Sequence, residues 1–252
     1  MAPLPLLAEF AVRLSTGVGA FLILTPWAKV PPKFFQTHCQ VILALLVLAA
    51  LDVSREPNSG PTLALIVSAA LFAYLGSIAW GVGYPQIGTG LGLAITLCLI
   101  LLVSMPLAHS DGVLPWVMLT GRLSSAMVMG STLTAMLLGH YYLAAPAMSI
   151  FPLRGLVRWM AGSLAVRILL SGLGMMMWIR SDASAGTVEP IFVAMRWGMG
   201  LAGPVLATTL AWKTVEIRST QSATGILYIA MTLVLFGEVS ALVLARSVAW
   251  LV

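Results

Sequence analysis

The sequence is poor in charged residues: of 252 residues, 8% are Asp, Glu, Lys or Arg, whereas 60% are hydrophobic. Soluble domains carry roughly 25% charged residues, so this small share leaves too little polar surface to cover a globule in water. The composition therefore predicts a membrane protein. The thirteen Lys and Arg are also too few and too scattered to follow nucleic-acid phosphates, and we expect no nucleic acid among the partners.

Residue types that hold metals are scarce as well. The chain has two cysteines and three histidines, with no Cys-x-x-Cys, no His-Glu-x-x-His and no acidic cluster. Structural zinc, iron–sulfur clusters and metal-dependent hydrolysis all need such sets of ligands. We therefore predict no metal site.

Apolar runs fill most of the sequence, and Pro, Gly and charged residues divide them into segments of about 20 residues, the length that crosses a bilayer. The predicted fold class is all-α, a polytopic membrane bundle of about eight transmembrane helices in a single domain over residues 1–252. The predicted spans are 8–27, 35–52, 61–80, 88–107, 114–140, 155–179, 189–212 and 222–248.

The charges between the spans and at their ends predict an orientation. Six Lys and Arg and one Glu lie on the side that follows spans 1, 5 and 7, while three Arg and six acidic residues lie on the other, giving net charges of +5 and −3. Cytoplasmic loops carry the excess of Lys and Arg, and an even number of spans returns the chain to its starting side. We therefore expect both termini outside, in a cell inner membrane or plasma membrane.

Spans 1 and 5 share a short motif near their predicted outer ends. Arg-Leu-Ser-Thr occupies 13–16 and Arg-Leu-Ser-Ser occupies 122–125. Because the two motifs are four spans apart, the pattern predicts two parallel repeats of four helices, an arrangement known among membrane proteins.

Once the charges at the ends of the spans are assigned to the two sides, five charged residues remain within the spans: Arg13, Arg122, Arg167, Arg196 and Glu238. A charge near the bilayer centre costs at least ~2.5 kcal/mol, so such residues normally face the bundle interior with partners and mark function. Arg13, Arg122 and Arg196 lie nearer the outer boundary and either reach the headgroups or point inward, where the surplus charge would call for a bound anion. We expect Glu238, near the middle of span 8, to contact Arg167 or Arg196.

Span 5 is the most polar span. At 100° per residue, Arg122, Ser125, Thr132 and His140 share one sector of the helix. A polar face must be buried against protein or a cavity when the helix lies in lipid. We expect span 5 at the centre of the bundle, with His140 pointing inward.

The predicted inner boundary gathers a second set of polar side chains. His38 lies at the start of span 2, His140 and Tyr141 at the end of span 5, and Arg218 before span 8. Two histidines at one depth are the minimum for bis-imidazole ligation of haem b, whereas a quinone needs a single His or Tyr donor and apolar walls. These four residues are the predicted cofactor-binding site, for haem, a quinone or a bound lipid.

Three functions fit these observations. The first is an integral membrane subunit of a larger complex, such as an electron-transfer complex, that binds a lipid, quinone or haem between its helices and supports other membrane-protein subunits. The second is a small-anion transporter or channel that uses the buried arginines. The third is a membrane enzyme acting on a lipid, with His140, Tyr141 and Glu238 as acid–base groups, although no nucleophile or metal set accompanies them. The sequence assigns no catalytic residue.

Overall fold

The computed structural model describes residues 4–57, 59–105, 115–145, 148–180 and 190–247, and this part of the chain is helical with no strand. The helices are α1 (Leu6–Leu24), α2 (Pro32–Val53), α3 (Gly60–Val82), α4 (Pro85–Ser104), α5 (Pro115–Ala144), α6 (Phe151–Arg180), α7 (Pro190–Trp197), α8 (Gly203–Glu216) and α9 (Thr220–Ser247). A 3₁₀ turn, Trp27–Lys29, follows α1, and a π-helical turn, Gly198–Ala202, joins α7 to α8.

Seven helical segments of the described chain are long and apolar enough to cross a membrane, with α7, the π turn and α8 counting as one segment. This all-helical architecture indicates a membrane protein and is compatible with a helical membrane bundle. α5 is 30 residues long but is not among the seven. It packs against α1, α6 and α9, so α5 has protein on several sides.

Proline explains where several helices begin. Pro32, Pro85, Pro115 and Pro190 each stand at the first residue of a helix, whereas the predicted spans start up to three residues later or one earlier. Proline suits a helix start because its missing N–H would have no intrahelical partner there and its φ is already helical. At the other end of α3, Gly83 adopts a φ of 89°, the left-handed conformation that ends helices and that glycine adopts without strain.

The beginning of α1 and the ends of α2 and α9 lie together. Arg246 donates a hydrogen bond to the carbonyl oxygen of Leu4 at 3.0 Å, and the amide of Ala8 donates to Oδ2 of Asp52 at 3.0 Å. We call this end of the bundle the outer end, after the predicted orientation, and the opposite end the inner end. Which side of a membrane each end faces stays a prediction.

Helices α1 to α4 and helices α5 to α9 have the same order of neighbours. α1 packs against α2 and α4, and α3 packs between α2 and α4; likewise α5 packs against α6 and α9, and α8 packs between α6 and α9. The two halves meet mainly where α1 lies against α5, at Gly17 and Gly130, whose backbones approach so closely that a Cβ atom on either would clash with the facing backbone. The predicted duplication itself stays a prediction.

Candidate functional site

The centre of the α5–α9 half holds a fully buried ion pair. Glu238 of α9 accepts two hydrogen bonds from Arg167 of α6, from Nε at 3.0 Å to Oε1 and from Nη2 at 2.7 Å to Oε2. Both side chains are at most 1% exposed. The predicted contact of Glu238 is confirmed. The pair is bidentate, the strongest arrangement of arginine with a carboxylate.

A second guanidinium shares the same carboxylate. Arg196 of α7 donates from Nη1 to Oε1 of Glu238 at 2.7 Å and from Nη2 to the hydroxyl of Ser171 at 2.7 Å. The hydroxyl of Ser125 of α5 donates to Oε2 of Glu238 at 2.6 Å. Each carboxylate oxygen of Glu238 thus accepts two hydrogen bonds. We call Arg167, Arg196 and Glu238 the central triad.

This arrangement fills the acceptor capacity of Glu238, since an ionised carboxylate offers about four lone-pair sites. A carboxylate with every site occupied has none left with which to take a proton from a substrate. As it stands in this structure, Glu238 joins α5, α6, α7 and α9 and does not serve as the free base that the enzyme hypothesis needs.

Two glycines bring Arg196 to the carboxylate. The π turn passes so close to α9 that a Cβ atom on Gly200 would lie 2.6 Å from the Cα atom of Gly237. At Gly203, a Cβ atom would lie 2.9 Å from Cδ1 of the Leu233 side chain. π-helical turns are frequent at functional sites, and here the turn sets the last residues of α7 against the helix that carries Glu238.

A second triad lies at the outer end, between α1 and α5. Arg13 donates from Nη2 to Oε1 of Glu9 at 2.5 Å, and Nε of Arg122 lies 3.8 Å from the same oxygen. Nη1 of Arg122 also donates to the carbonyl oxygen of Val103 at 3.2 Å. We call Glu9, Arg13 and Arg122 the outer triad.

The predicted buried charges therefore point inward. The side chains of Arg13, Arg167 and Arg196 are at most 4% exposed and that of Arg122 is 12% exposed, so none of them extends freely toward headgroups. The sequence reasoning counted Glu9 as a charge of the outer side and missed it as a partner. Its spacing of four residues before Arg13 on one helix was the signal, because residues at i and i+4 face each other.

His38 lies in an aromatic cluster at the inner end. Its side chain is buried, its ring centroid is 4.0 Å from that of Phe34, and Nδ1 is 2.7 Å from the carbonyl oxygen of Phe34, as for a hydrogen bond. Nε2 is buried without a hydrogen-bond partner. The ring centroid of Phe34 is also 6.5 Å from that of Tyr141, so two of the predicted inner-site residues contact the same phenylalanine.

His140 and Arg218 have other surroundings. His140 is exposed, with Nδ1 3.3 Å from the hydroxyl of Tyr228, so its orientation differs from the inward one expected. It lies in the last two turns of α5, where the neighbouring Tyr228 is itself 44% exposed. Arg218 is exposed and lies two residues after the last residue of α8, in the left-handed conformation with a φ of 57°. The structure thus brings His38 near Tyr141 but places no ring contact between His38 and His140 within the described chain.

Sequence reasoning also missed a groove between α5 and α6. It has a volume of about 570 Å³, in the range of ligand pockets. The walls are mostly apolar, and the lining includes Leu123, Met127, Trp159, Val166 and Leu170. Ser124, which also lines it, accepts a hydrogen bond from Nη1 of Arg167 at 3.2 Å, so the groove lies directly beside the central triad.

The chain matches no family model, no curated protein and no solved structure. Among the described residues, no three His, Cys, Asp or Glu side chains are grouped so that they could hold a metal ion. The candidate sites therefore consist of the two triads, the inner-end aromatic cluster and the groove between α5 and α6.

Proposed function

We propose that this protein is an integral membrane subunit that binds one lipid-like molecule, a membrane lipid or a quinone, in the groove between α5 and α6 and that acts with a catalytic partner subunit. The observation that carries the proposal is the groove itself. Its volume suits a ligand, and its apolar walls suit an acyl or isoprenoid chain.

Two serine hydroxyls that line the groove already have hydrogen-bond partners. The hydroxyl of Ser163 hydrogen-bonds the carbonyl oxygen of Met160 and lies 3.0 Å from the hydroxyl of Ser131, and Ser124 is held by Arg167. Because these hydroxyls are already hydrogen-bonded, the groove is better suited to binding the acyl or isoprenoid chain of a ligand than to reacting with it. The chemistry would then belong to a partner.

The short connections between neighbouring helices also support a separate catalytic partner. Two residues separate α3 from α4, and three residues separate α8 from α9. Such connections leave no room for a catalytic domain between these helices, so a partner meets this protein in the membrane or at the helix ends.

Photolabelling in nanodiscs tests the groove. The probes are a phosphatidylcholine and an isoprenoid quinone, each carrying a diazirine on its chain, and the labelled peptides are mapped by mass spectrometry. Gly162→Leu adds a side chain at the groove, because Gly162 lines it and a Cβ atom there meets nothing within 4 Å. Gly172→Leu is the matched control, since Gly172 lies on the same helix, is equally free of close neighbours and does not line the groove.

We expect at least one probe to label α5 and α6 of the wild-type protein and of Gly172→Leu, with most of that labelling lost in Gly162→Leu. Labelling spread evenly over exposed α3 residues such as Leu71 and unchanged in Gly162→Leu would show bulk lipid only and overturn the groove. For the partner, mild detergent extraction of native membranes should give a native mass well above one 26.7 kDa chain; a single-chain species would overturn the subunit proposal.

Small-anion transport is a second candidate, supported by one observation. Each triad joins two guanidiniums to one carboxylate, so each carries one excess positive charge. The test is anion flux from proteoliposomes. Flux above that of empty liposomes, lowered by Arg196→Gln and not by Arg180→Gln, is expected for a transporter, and flux equal to that of empty liposomes contradicts it.

A further inference from the structure

The outer triad differs from the central triad in how well its charges are matched. The guanidiniums of the central triad reach a carboxylate, two serine hydroxyls and a carbonyl oxygen. In the outer triad, Arg13 is only 3% exposed, and its Nε is buried without any hydrogen-bond partner. A buried N–H of a charged group that lacks an acceptor is costly, so this position calls for one.

The balance of charge points to a negatively charged acceptor. Glu9 is shared by Arg13 and Arg122, and its oxygen is 3.8 Å from Nε of Arg122, beyond a hydrogen bond. The outer triad is therefore a locally positive site in surroundings of low dielectric, where one compensating anion is stabilising.

A cavity lies at the same place. It is lined by Leu4, Glu9, Arg13, Leu102 and Arg122, together with apolar neighbours, and has room for about one water molecule. Arg122 and Glu9 keep 12% and 16% exposure, whereas Arg13 forms the buried side. One oxygen atom of a larger anion fits this space while the rest of the anion stays outside.

The depth of the triad suits a phosphate group. Arg13 and Arg122 each lie seven residues from the first residue of their helix, or about 10 Å at 1.5 Å per residue. This places both near the outer end, within reach of the headgroup layer. Guanidiniums are also the side chains best matched to phosphate oxygens.

We propose that Arg13 and Arg122 bind one phosphate-class oxyanion at the outer end of the α1–α5 contact, with one of its oxygens in the cavity. The same chemistry is offered by a phospholipid headgroup and by free inorganic phosphate. The site is separate from the α5–α6 groove and requires no transport.

The experiment uses the purified full chain in a phosphate-free maltoside detergent. Thermal unfolding is followed while inorganic phosphate or chloride is added at equal ionic strength. In a second arm, the protein is taken from nanodiscs of phosphatidylcholine and phosphatidylglycerol, and retained phospholipids are counted by native mass spectrometry. The variants are Arg122→Gln, Glu9→Gln and, as a matched control, Arg180→Gln, which removes an exposed arginine at the outer end of α6.

We expect phosphate to raise the unfolding temperature more than chloride does, or one phospholipid to be retained; the first result identifies free phosphate and the second a headgroup. Arg122→Gln should lower the affinity for phosphate or for the retained phospholipid about tenfold, the effect of losing one charged hydrogen bond. Glu9→Gln should keep or strengthen it because a competing carboxylate is removed, and Arg180→Gln should behave as wild type.

Three results would overturn the proposal. The first is a wild-type protein that is not stabilised by phosphate and retains no phospholipid. The second is a loss of binding in Arg180→Gln as large as that in Arg122→Gln. The third is a Glu9→Gln protein that is folded and yet insensitive to phosphate and free of bound lipid. Because Gly162→Leu changes the groove alone, its effect on photolabelling is independent of every outcome here.

Discussion

Arg167 and Glu238 are joined by two parallel hydrogen bonds in the middle of the α5–α9 half, and neither side chain has contact with solvent. The pair comes from residues 71 positions apart and connects α6 to α9. Its geometry ties the stability of this half to a single carboxylate.

The first prediction concerns that carboxylate. Glu238→Gln should lower the free energy of unfolding by about 3–5 kcal/mol, because it leaves two buried guanidiniums without their counter-charge. The measurement is thermal or denaturant unfolding in detergent, with Glu216→Gln, which changes an exposed residue at the end of α8, as the control. Equal stability of the two variants would contradict the structural role of the central triad.

The second prediction concerns the contact between the two halves. Gly17→Ala should destabilise the protein strongly, since its new methyl group would meet the backbone of Ala126 and Gly130. Gly90→Ala is the control: a Cβ atom there meets nothing within 4 Å, and alanine favours a helix over glycine by roughly 1 kcal/mol. Unfolding temperatures of both variants decide it, and a Gly17→Ala protein as stable as Gly90→Ala would show that α1 and α5 do not meet as described.

The third prediction concerns orientation. The native cysteines are first removed by Cys39→Ala and Cys98→Ala, and a single cysteine is then introduced by Ser59→Cys or by Ser219→Cys. The two introduced cysteines should react with a membrane-impermeant maleimide from opposite sides of the membrane. Ser59 should be labelled from outside and Ser219 from the cytoplasm, as the charge difference between the loops predicts. Labelling of both from one side refutes the topology, and reversed labelling refutes the orientation.

The fourth prediction concerns the histidines. His38 and His140 have separate ring partners, Phe34 and Tyr228, so the geometry does not favour a haem held between them. We expect the visible absorption of the protein extracted from its native membranes to be the same for the wild type and His140→Ala. Loss of a haem band on this substitution would contradict the arrangement at the inner end and restore the sequence-based haem hypothesis.

The sequence predicts that Glu238 contacts Arg167 or Arg196, because charges at membrane depth are few and need partners. That both arginines bind the same carboxylate is seen only in the structure. Sequence reasoning also singled out Ser125 through helical periodicity, and the structure places that hydroxyl on Glu238. Both inferences follow from the composition and the 3.6-residue repeat.

Other features depend on how helices pack, which periodicity does not reveal. The groove depends on how α5 and α6 lie against each other, and the exposure of His140 depends on what covers the last turns of α5. Glu9 shows a different limit: a residue close to a helix end looks like a loop charge in the sequence, although its i, i+4 spacing to Arg13 predicts the contact.

The most direct test of the central claim is native mass spectrometry of the protein released from its own membranes. We expect the wild type and Gly172→Leu to retain one lipid or quinone that Gly162→Leu lacks, while all three proteins unfold at similar temperatures. Equal retention by the three proteins, or none by any of them, would contradict a specific ligand in the groove between α5 and α6.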